Sequence, residues 1–248
     1  MSGLHGRRVL VTRPRDQAAS LVAGLEASGA VPVVIPLITI ARPRDPGPAR
    51  DAIRRLGSYD WVVCTSANGA RALAARLRDE ELDWPSGPRL AAIGPRTAQA
   101  ARDEGLPVHA QPAEFRGRAV PAALGNVRDR FVLLPRSDIG REETPEALRS
   151  AGAIVDDVVF YRTVSATPEP EALAELATGV DILTFTSPST VTAFATLGAI
   201  AEALAATATI ACIGPVTADA ARSIGWTVHV QPAEYTAEAL LEALRGIS

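Results

Sequence analysis

Every basic side chain in this sequence is an arginine. Without lysine, Schiff-base chemistry, pyridoxal phosphate attachment and a Walker-type phosphate grip are excluded. What remains is the planar guanidinium fork, which grips carboxylates in a bidentate way. Two arginines follow short apolar runs: Arg13 after Val9 to Thr12, and Arg136 after Phe131 to Leu134. Hydroxyl-bearing turns follow other apolar runs: Ser66-Ala67-Asn68, Ser187-Pro188-Ser189, Gly94-Pro95-Arg96-Thr97 and Gly214-Pro215-Val216-Thr217. Each opens a stretch of helical composition. There a hydroxyl either caps the helix or joins the free amides in holding an anion, and several such turns together would line a site with anion-binding groups. The run from Ser137 through Gly140 and Arg141 to Glu143 is either a cap for the helix behind it or a substrate loop. Tyr161 sits within the long segment Ile154 to Ser165, where a phenol would project at a junction of domains; it is by default a packed aromatic and otherwise the best single candidate for a proton donor.

Other chemistry finds little support. His109 and His229 occupy matching places in two copies of Val-His-x-Gln-Pro-Ala-Glu and are expected to be strand-end residues; no His/Cys cluster has metal-ligand spacing. No Ser-His-Asp set, dinucleotide glycine loop or Walker motif occurs, which removes the oxidoreductase and kinase readings. Cys64 and Cys212 each end an apolar run and are expected to be buried thiols in a reducing cytosol. Residues 1–8 carry no apolar signal segment, and the weakly apolar stretch from Thr190 to Ile213 is broken by Glu202, so no membrane span is expected.

The elements that position these residues come twice. Arg89 to Leu124 lies over Thr209 to Leu244, Tyr59 to Leu77 over Val180 to Leu197, and Leu25 to Ala30 over Leu148 to Ala153. Short β-branched runs (Val9 to Thr12, Val31 to Ile35, Trp61 to Thr65, Leu90 to Ile93, Phe131 to Leu134, Ile154 to Tyr161, Ile182 to Thr186, Thr209 to Ile213) alternate with Ala/Arg/Glu-rich stretches such as Gln17 to Ser28, Ala70 to Arg78, Thr97 to Glu104, Glu143 to Ala151 and Thr217 to Ile224. That alternation predicts parallel sheets covered on both faces, in two doubly wound α/β domains with a cleft between them. The 248 residues suffice for two cores, and a net charge of −3 argues against nucleic acid and acidic membranes as partners. Two arrangements are open: tandem domains divided near Asn126, or a chain that crosses twice through the long segments Val31 to Ala41 and Ile154 to Ser165.

The ordered set Val-Thr-Arg-Pro, Thr-Ser-Ala-Asn, Thr-Ser-Pro-Ser, Pro-Arg-(x)4-Arg from Pro135, Val-Phe-Tyr-Arg-Thr from Val159, and Ile-Gly-Pro-x-Thr-Ala twice resembles the uroporphyrinogen-III synthase family from about Arg8 to Leu244. The resemblance implies two α/β domains joined by a two-stranded ladder, with 1–36 and 166–248 as the first domain, 41–161 as the second, and 37–40 and 162–165 as linkers. It implies cyclisation of the linear tetrapyrrole hydroxymethylbilane, with inversion of ring D, to uroporphyrinogen III and water, a step towards haem, sirohaem, cobalamin and chlorophyll. It implies no cofactor, and handover of substrate from hydroxymethylbilane synthase; the buried thiols and the lack of a signal segment predict a cytoplasmic protein, and the lack of a spare apolar helix or heptad predicts a monomer. By position, the family's functional tyrosine falls on Tyr161, its hydroxyls on Ser66, Thr97, Ser187 and Thr217, and its arginine and glycine on Arg136 and Gly140. Arg96 meets Val216 in the other copy, so that contact is not duplicated. The competing reading is a two-domain protein that closes on an anionic small molecule without chemistry.

Overall fold

The structure is a computed structural model that describes residues 3–247, Asp16 by its backbone alone. In chain order the elements are β1 (Arg8–Val11), α1 (Arg15–Ala27), β2 (Val31–Val34), β3 (Ile38–Ala41), α2 (Gly47–Arg54), β4 (Trp61–Cys64), α3 (Ala67–Asp79), β5 (Arg89–Ala92), α4 (Pro95–Asp103) and α5 (Val120–Leu124). There follow β6 (Phe131–Ser137), α6 (Glu143–Ser150), β7 (Ile154–Ser165), α7 (Pro170–Ala177), β8 (Ile182–Phe185), α8 (Pro188–Ala195), α9 (Ala199–Thr207), β9 (Thr209–Cys212), α10 (Pro215–Ser223) and α11 (Ala237–Arg245).

The chain forms two compact units, Met1–Thr39 with Val164–Ser248 and Ile40–Thr163. It leaves the first unit inside β3 and returns inside β7, so the division is not a tandem one near Asn126. The first unit's sheet has the order β2-β1-β8-β9, and the other sheet has the order β3-β7-β6-β4-β5. Parallel pairing joins β1 to β2 and β8, β8 to β9, β4 to β5 and β6, and β6 to β7. A single parallel bridge extends each sheet beyond its last helix crossover, Ala91 to Ala110 in one and Ala211 to Val230 in the other.

The strands read as continuous apolar runs because helices cover both faces. In β4, Val62 and Cys64 join the core under α2, α3 and α4, while Trp61 and Val63 join Val120, Leu124 and Leu148 on the opposite face. In the first unit, Leu10, Leu183 and Ile210 pack with α8 to α10, while Val9, Val11 and Ile182 pack with α1 and α11. The helices that precede β2 and β7 end alike. Gly29 and Gly152 adopt φ of 78° and 90°, and the following amides of Ala30 and Ala153 return to the carbonyls of Leu25 and Leu148 at 3.0 Å. Only glycine takes that left-handed turn without penalty.

The two long segments differ. Ile154 to Ser165 is one strand, whereas Val31 to Ala41 is split into β2 and β3, which lie in different sheets. Pro36 stands where the other copy has Val159, and a proline has no N–H to give a ladder. No single helix of the described residues is long and apolar enough to cross a membrane; α8 and α9 meet at 117°.

Candidate active site

The turn after β4 builds the first part of the site. Ser66 caps α3 by accepting the Gly69 amide at 3.0 Å, and its Oγ also lies 2.9 Å from the Tyr161 hydroxyl. Gly69 lets this turn sit tightly on β6, since a Cβ there would stand 2.8 Å from the Pro135 carbonyl. Tyr161 is 7% exposed within β7. Burial raises its phenol above the ordinary value of 10.0, opposed by the hydrogen bond from Ser66. Ala67 is the first residue of α3, and the Asn68 side chain accepts from Arg71 at 3.4 Å.

Beside this pair lies the end of β6, and here the sequence expectation needs correcting. Arg136 and Ser137 do not follow the strand but belong to it, because β7 continues alongside as far as Tyr161 and keeps the ladder open past Leu134. A register shift between Arg136 and Ser137 turns the chain into the loop that precedes α6. Ser137 Oγ donates to Asp138 at 3.0 Å and lies 3.3 Å from the Thr163 hydroxyl. Asp138 also accepts the Thr163 amide at 3.1 Å and faces Arg162 at 3.4 Å.

Arg136 organises that loop. Its Nε lies 3.1 Å from Asp157, its Nη2 donates to the Gly140 carbonyl at 3.0 Å and to Glu142 at 2.5 Å, and its Nη1 donates to the Arg141 carbonyl at 3.2 Å. Gly140 is needed because a Cβ there would stand 2.6 Å from Arg136 Nε. The Arg136 guanidinium holds Glu142 below the usual carboxylate range, while burial raises Asp157 against the pull of the same arginine. The Arg141 side chain is exposed. Glu142 therefore engages Arg136, and α6 has no side-chain cap at its start.

The helix starts fall into two classes. Ser187 is a full cap: it accepts the Thr190 amide at 3.3 Å, Thr190 answers in a capping box, and Ser189 lies 2.9 Å from Ser187 beside the first-turn Pro188. α4 and α10 instead begin on Gly94 and Gly214 with Pro95 and Pro215 next, so no side chain closes them. Thr97 and Thr217 lie in these first turns only 6% and 3% exposed, and among the described residues neither hydroxyl has a hydrogen-bond partner. Among the described residues the fully buried polar side-chain atoms without a partner are Arg76 Nη2 and Trp226 Nε1, so the two threonine oxygens remain open to solvent or to a ligand. Arg96 is exposed on α4, whereas Arg13 is buried just beyond β1, behind Thr12, whose hydroxyl donates to the Thr184 carbonyl at 3.0 Å.

The histidines are strand-end residues with matching bonds: Nδ1 of His109 accepts the Leu90 amide and Nδ1 of His229 accepts the Ile210 amide, both at 3.0 Å. Both cysteines are free and buried, and burial pushes their thiols up to about 12. Sequence reasoning passed over Asp156 and Asp157. Two acids inside an apolar strand were the available signal, because alternation sends them to opposite faces. Asp157 meets Arg136, and Asp156 takes the Tyr59 hydroxyl and Arg55.

The family model described as uroporphyrinogen-III synthase HemD matches residues 19–242. A uroporphyrinogen-III synthase of Synechococcus elongatus is 32% identical over 97% of this chain and 95% of its own. A putative uroporphyrinogen-III synthase of Methanothermobacter thermautotrophicus is 31% identical over 94% and 96%. Among solved structures, a mutant uroporphyrinogen III synthase of Thermus thermophilus superposes with a TM-score of 0.66 at 24% identity over 96% of each chain, and the Helicobacter pylori uroporphyrinogen-III synthetase with 0.58 at 16% over 96% and 97%. These two show the fold, and the family match shows the lineage: the chain belongs to the uroporphyrinogen-III synthase family.

Proposed function

We propose that this chain converts hydroxymethylbilane to uroporphyrinogen III, with Tyr161 as the proton donor and the helix starts of each unit as carboxylate holders. The observation that carries the reading is the hydrogen bond between Ser66 and a buried Tyr161. Ser66 Oγ accepts the Gly69 amide, so its own proton is available to the Tyr161 oxygen, and the phenol proton is left to be given away. The raised phenol keeps that proton throughout neutral pH.

In the proposed reaction the C–O bond to the ring A hydroxyl breaks as Tyr161 supplies a proton, so that water leaves and a carbocationic bilane remains. The substituted carbon of ring D attacks, the resulting spiro centre fragments, and the chain recloses with ring D inverted. Loss of the ring proton returns Tyr161 to its starting state. Left to itself the cation closes to the uninverted isomer, so the protein's task is positioning and exclusion of water. The substrate carries eight carboxylates. A chain of net charge −3 must hold them by local groups, and the α4 and α10 amides with Thr97 and Thr217 supply such groups in each unit. Ser66, Ala67, Asn68, Ser187, Pro188 and Ser189 take the same role at α3 and α8. Arg13, Arg96, Arg136, Ser137, Gly140 and Arg141 complete the set, Arg136 by exchanging Glu142 for a substrate carboxylate. The chain acts as a cytoplasmic monomer that takes its bilane from hydroxymethylbilane synthase.

The test is to incubate purified protein with fresh hydroxymethylbilane, oxidise the products and separate the uroporphyrin isomers. Predominant type III is expected. Type I alone, at the rate seen without protein, would leave an anion-binding protein instead.

A further inference from the structure

Phe115 and Tyr235 follow Gln-Pro-Ala-Glu in the two copies and are 50% and 48% exposed. A lone apolar side chain at the surface needs no account. Two aromatics at matching positions, each seated on the same kind of turn, call for one. A Cβ built on Gly94, which opens α4, would lie 3.9 Å from Phe115 Cβ and Cγ. On Gly214, which opens α10, it would lie 2.9 Å from Tyr235 Cδ1 and 3.1 Å from Cγ. The Tyr235 ring thus packs closely on the backbone of the helix start that carries Thr217, Phe115 lies beside the start that carries Thr97 with room to spare, and about half of each side chain stays open.

Each helix start then offers two chemistries side by side: free amides with a solvent-reached threonine hydroxyl that has no partner among the described residues, for an anion, and an aromatic surface for a flat apolar group. A pyrrole bearing acetate and propionate arms combines those two requirements in one ring. We propose that Phe115 and Tyr235 are substrate-contacting residues, each laying its ring against a pyrrole whose carboxylate arm occupies the neighbouring helix start. This rests on the synthase reading above. The contact needs the ring and not the phenolic oxygen of Tyr235, so exchanging the two aromatics preserves it.

The test measures kcat, KM for hydroxymethylbilane and Tm for Phe115→Ala, Tyr235→Ala, Phe115→Tyr and Tyr235→Phe. The alanine variants are expected to raise KM about 2- to 10-fold, with kcat and Tm close to wild type. The aromatic exchanges are expected to match wild type, which a loss of fold or of general surface packing would not produce. Should an alanine variant fold poorly, Phe115→Leu and Tyr235→Leu keep apolar bulk without the ring and are expected to raise KM in the same way. Wild-type KM in the alanine or leucine variants of an enzyme that makes type III isomer would overturn the proposal and leave the synthase reading intact. A wild-type chain that makes no type III isomer would overturn both.

Discussion

The two units share a frame and differ in what they hang on it. Beneath the sheet of the first unit, Phe185, Phe194 and Trp226 pack ring against ring with centroids 5.5 to 5.9 Å apart. The second unit has Cys64, Leu73 and Leu106 at the matching places, all buried in its own core. The three smaller side chains leave room that the first unit fills with rings, and the core of the second unit also holds Tyr59, Phe160 and Tyr161, so bulk comes from different positions in the two units. At the strand ends the contrast is chemical. Both units present an open helix start with a buried threonine, yet among the described residues only the second unit sets a tyrosine on the hydroxyl of the preceding turn. Counted from the paired starts Val31 and Ile154, Tyr161 falls where the first unit has the apolar Ile38. On the proposed roles, holding is thus duplicated and proton donation is not.

Tyr161→Phe strains this contrast most. It should slow formation of the type III isomer by about one to three orders of magnitude while KM and Tm stay near wild type. Steady-state kinetics and a thermal melt check both halves of that statement. Next is Arg136→Ala, which removes the organiser of the 137–142 loop and leaves Asp157 with Arg149 alone, 4.0 Å away. KM should rise more than kcat falls, and stability should drop by about 1 to 3 kcal/mol in a denaturant titration. Unchanged kinetics would mean that backbone amides hold the substrate there. Smaller still, Thr97→Val and Thr217→Val remove hydroxyls that have no partner among the described residues, so KM should rise about threefold to tenfold without loss of Tm. A drop in Tm would show that the hydroxyls serve the fold.

The smallest effect concerns stability at high pH. Burial and the bond to Asp156 raise Tyr59 from 10.0 to about 12. A raised pKa stabilises the fold fully below the unfolded value, and the contribution fades as pH rises from about 10 through 12. Denaturant titrations should therefore show wild type losing about 1 kcal/mol more than Tyr59→Phe across that window. Parallel curves would separate the Tyr59–Asp156 contact from stability.

Much of this was legible in the sequence because the repeat announced itself. Strand and helix order followed from hydrophobic patterning, and boundaries erred where capping decides: α3 and α10 begin at Ala67 and Pro215, ahead of the apolar periodicity, because Ser66 and Gly214 stop the strand exit and start the helix. Tyr161 and Ser66 could each be singled out, but not their 2.9 Å contact, since 95 residues separate them and only sheet order brings them together. The grip on Arg136 was hidden for the opposite reason. Glu142 sits a few residues away and looked like a helix cap, while its better partner was the guanidinium that folds the loop back. Phe115 and Tyr235 lay in the repeat as plain aromatics, and only their seat on Gly94 and Gly214 gives them a use.

The most direct test of divided labour is to measure kcat and KM for Tyr161→Phe and Thr217→Val side by side on one preparation of hydroxymethylbilane. Tyr161→Phe is predicted to lose kcat at nearly constant KM, and Thr217→Val to raise KM at nearly constant kcat. Equal losses of kcat in both, or a Tyr161→Phe variant as fast as wild type, would contradict the assignment of proton donation to the second unit.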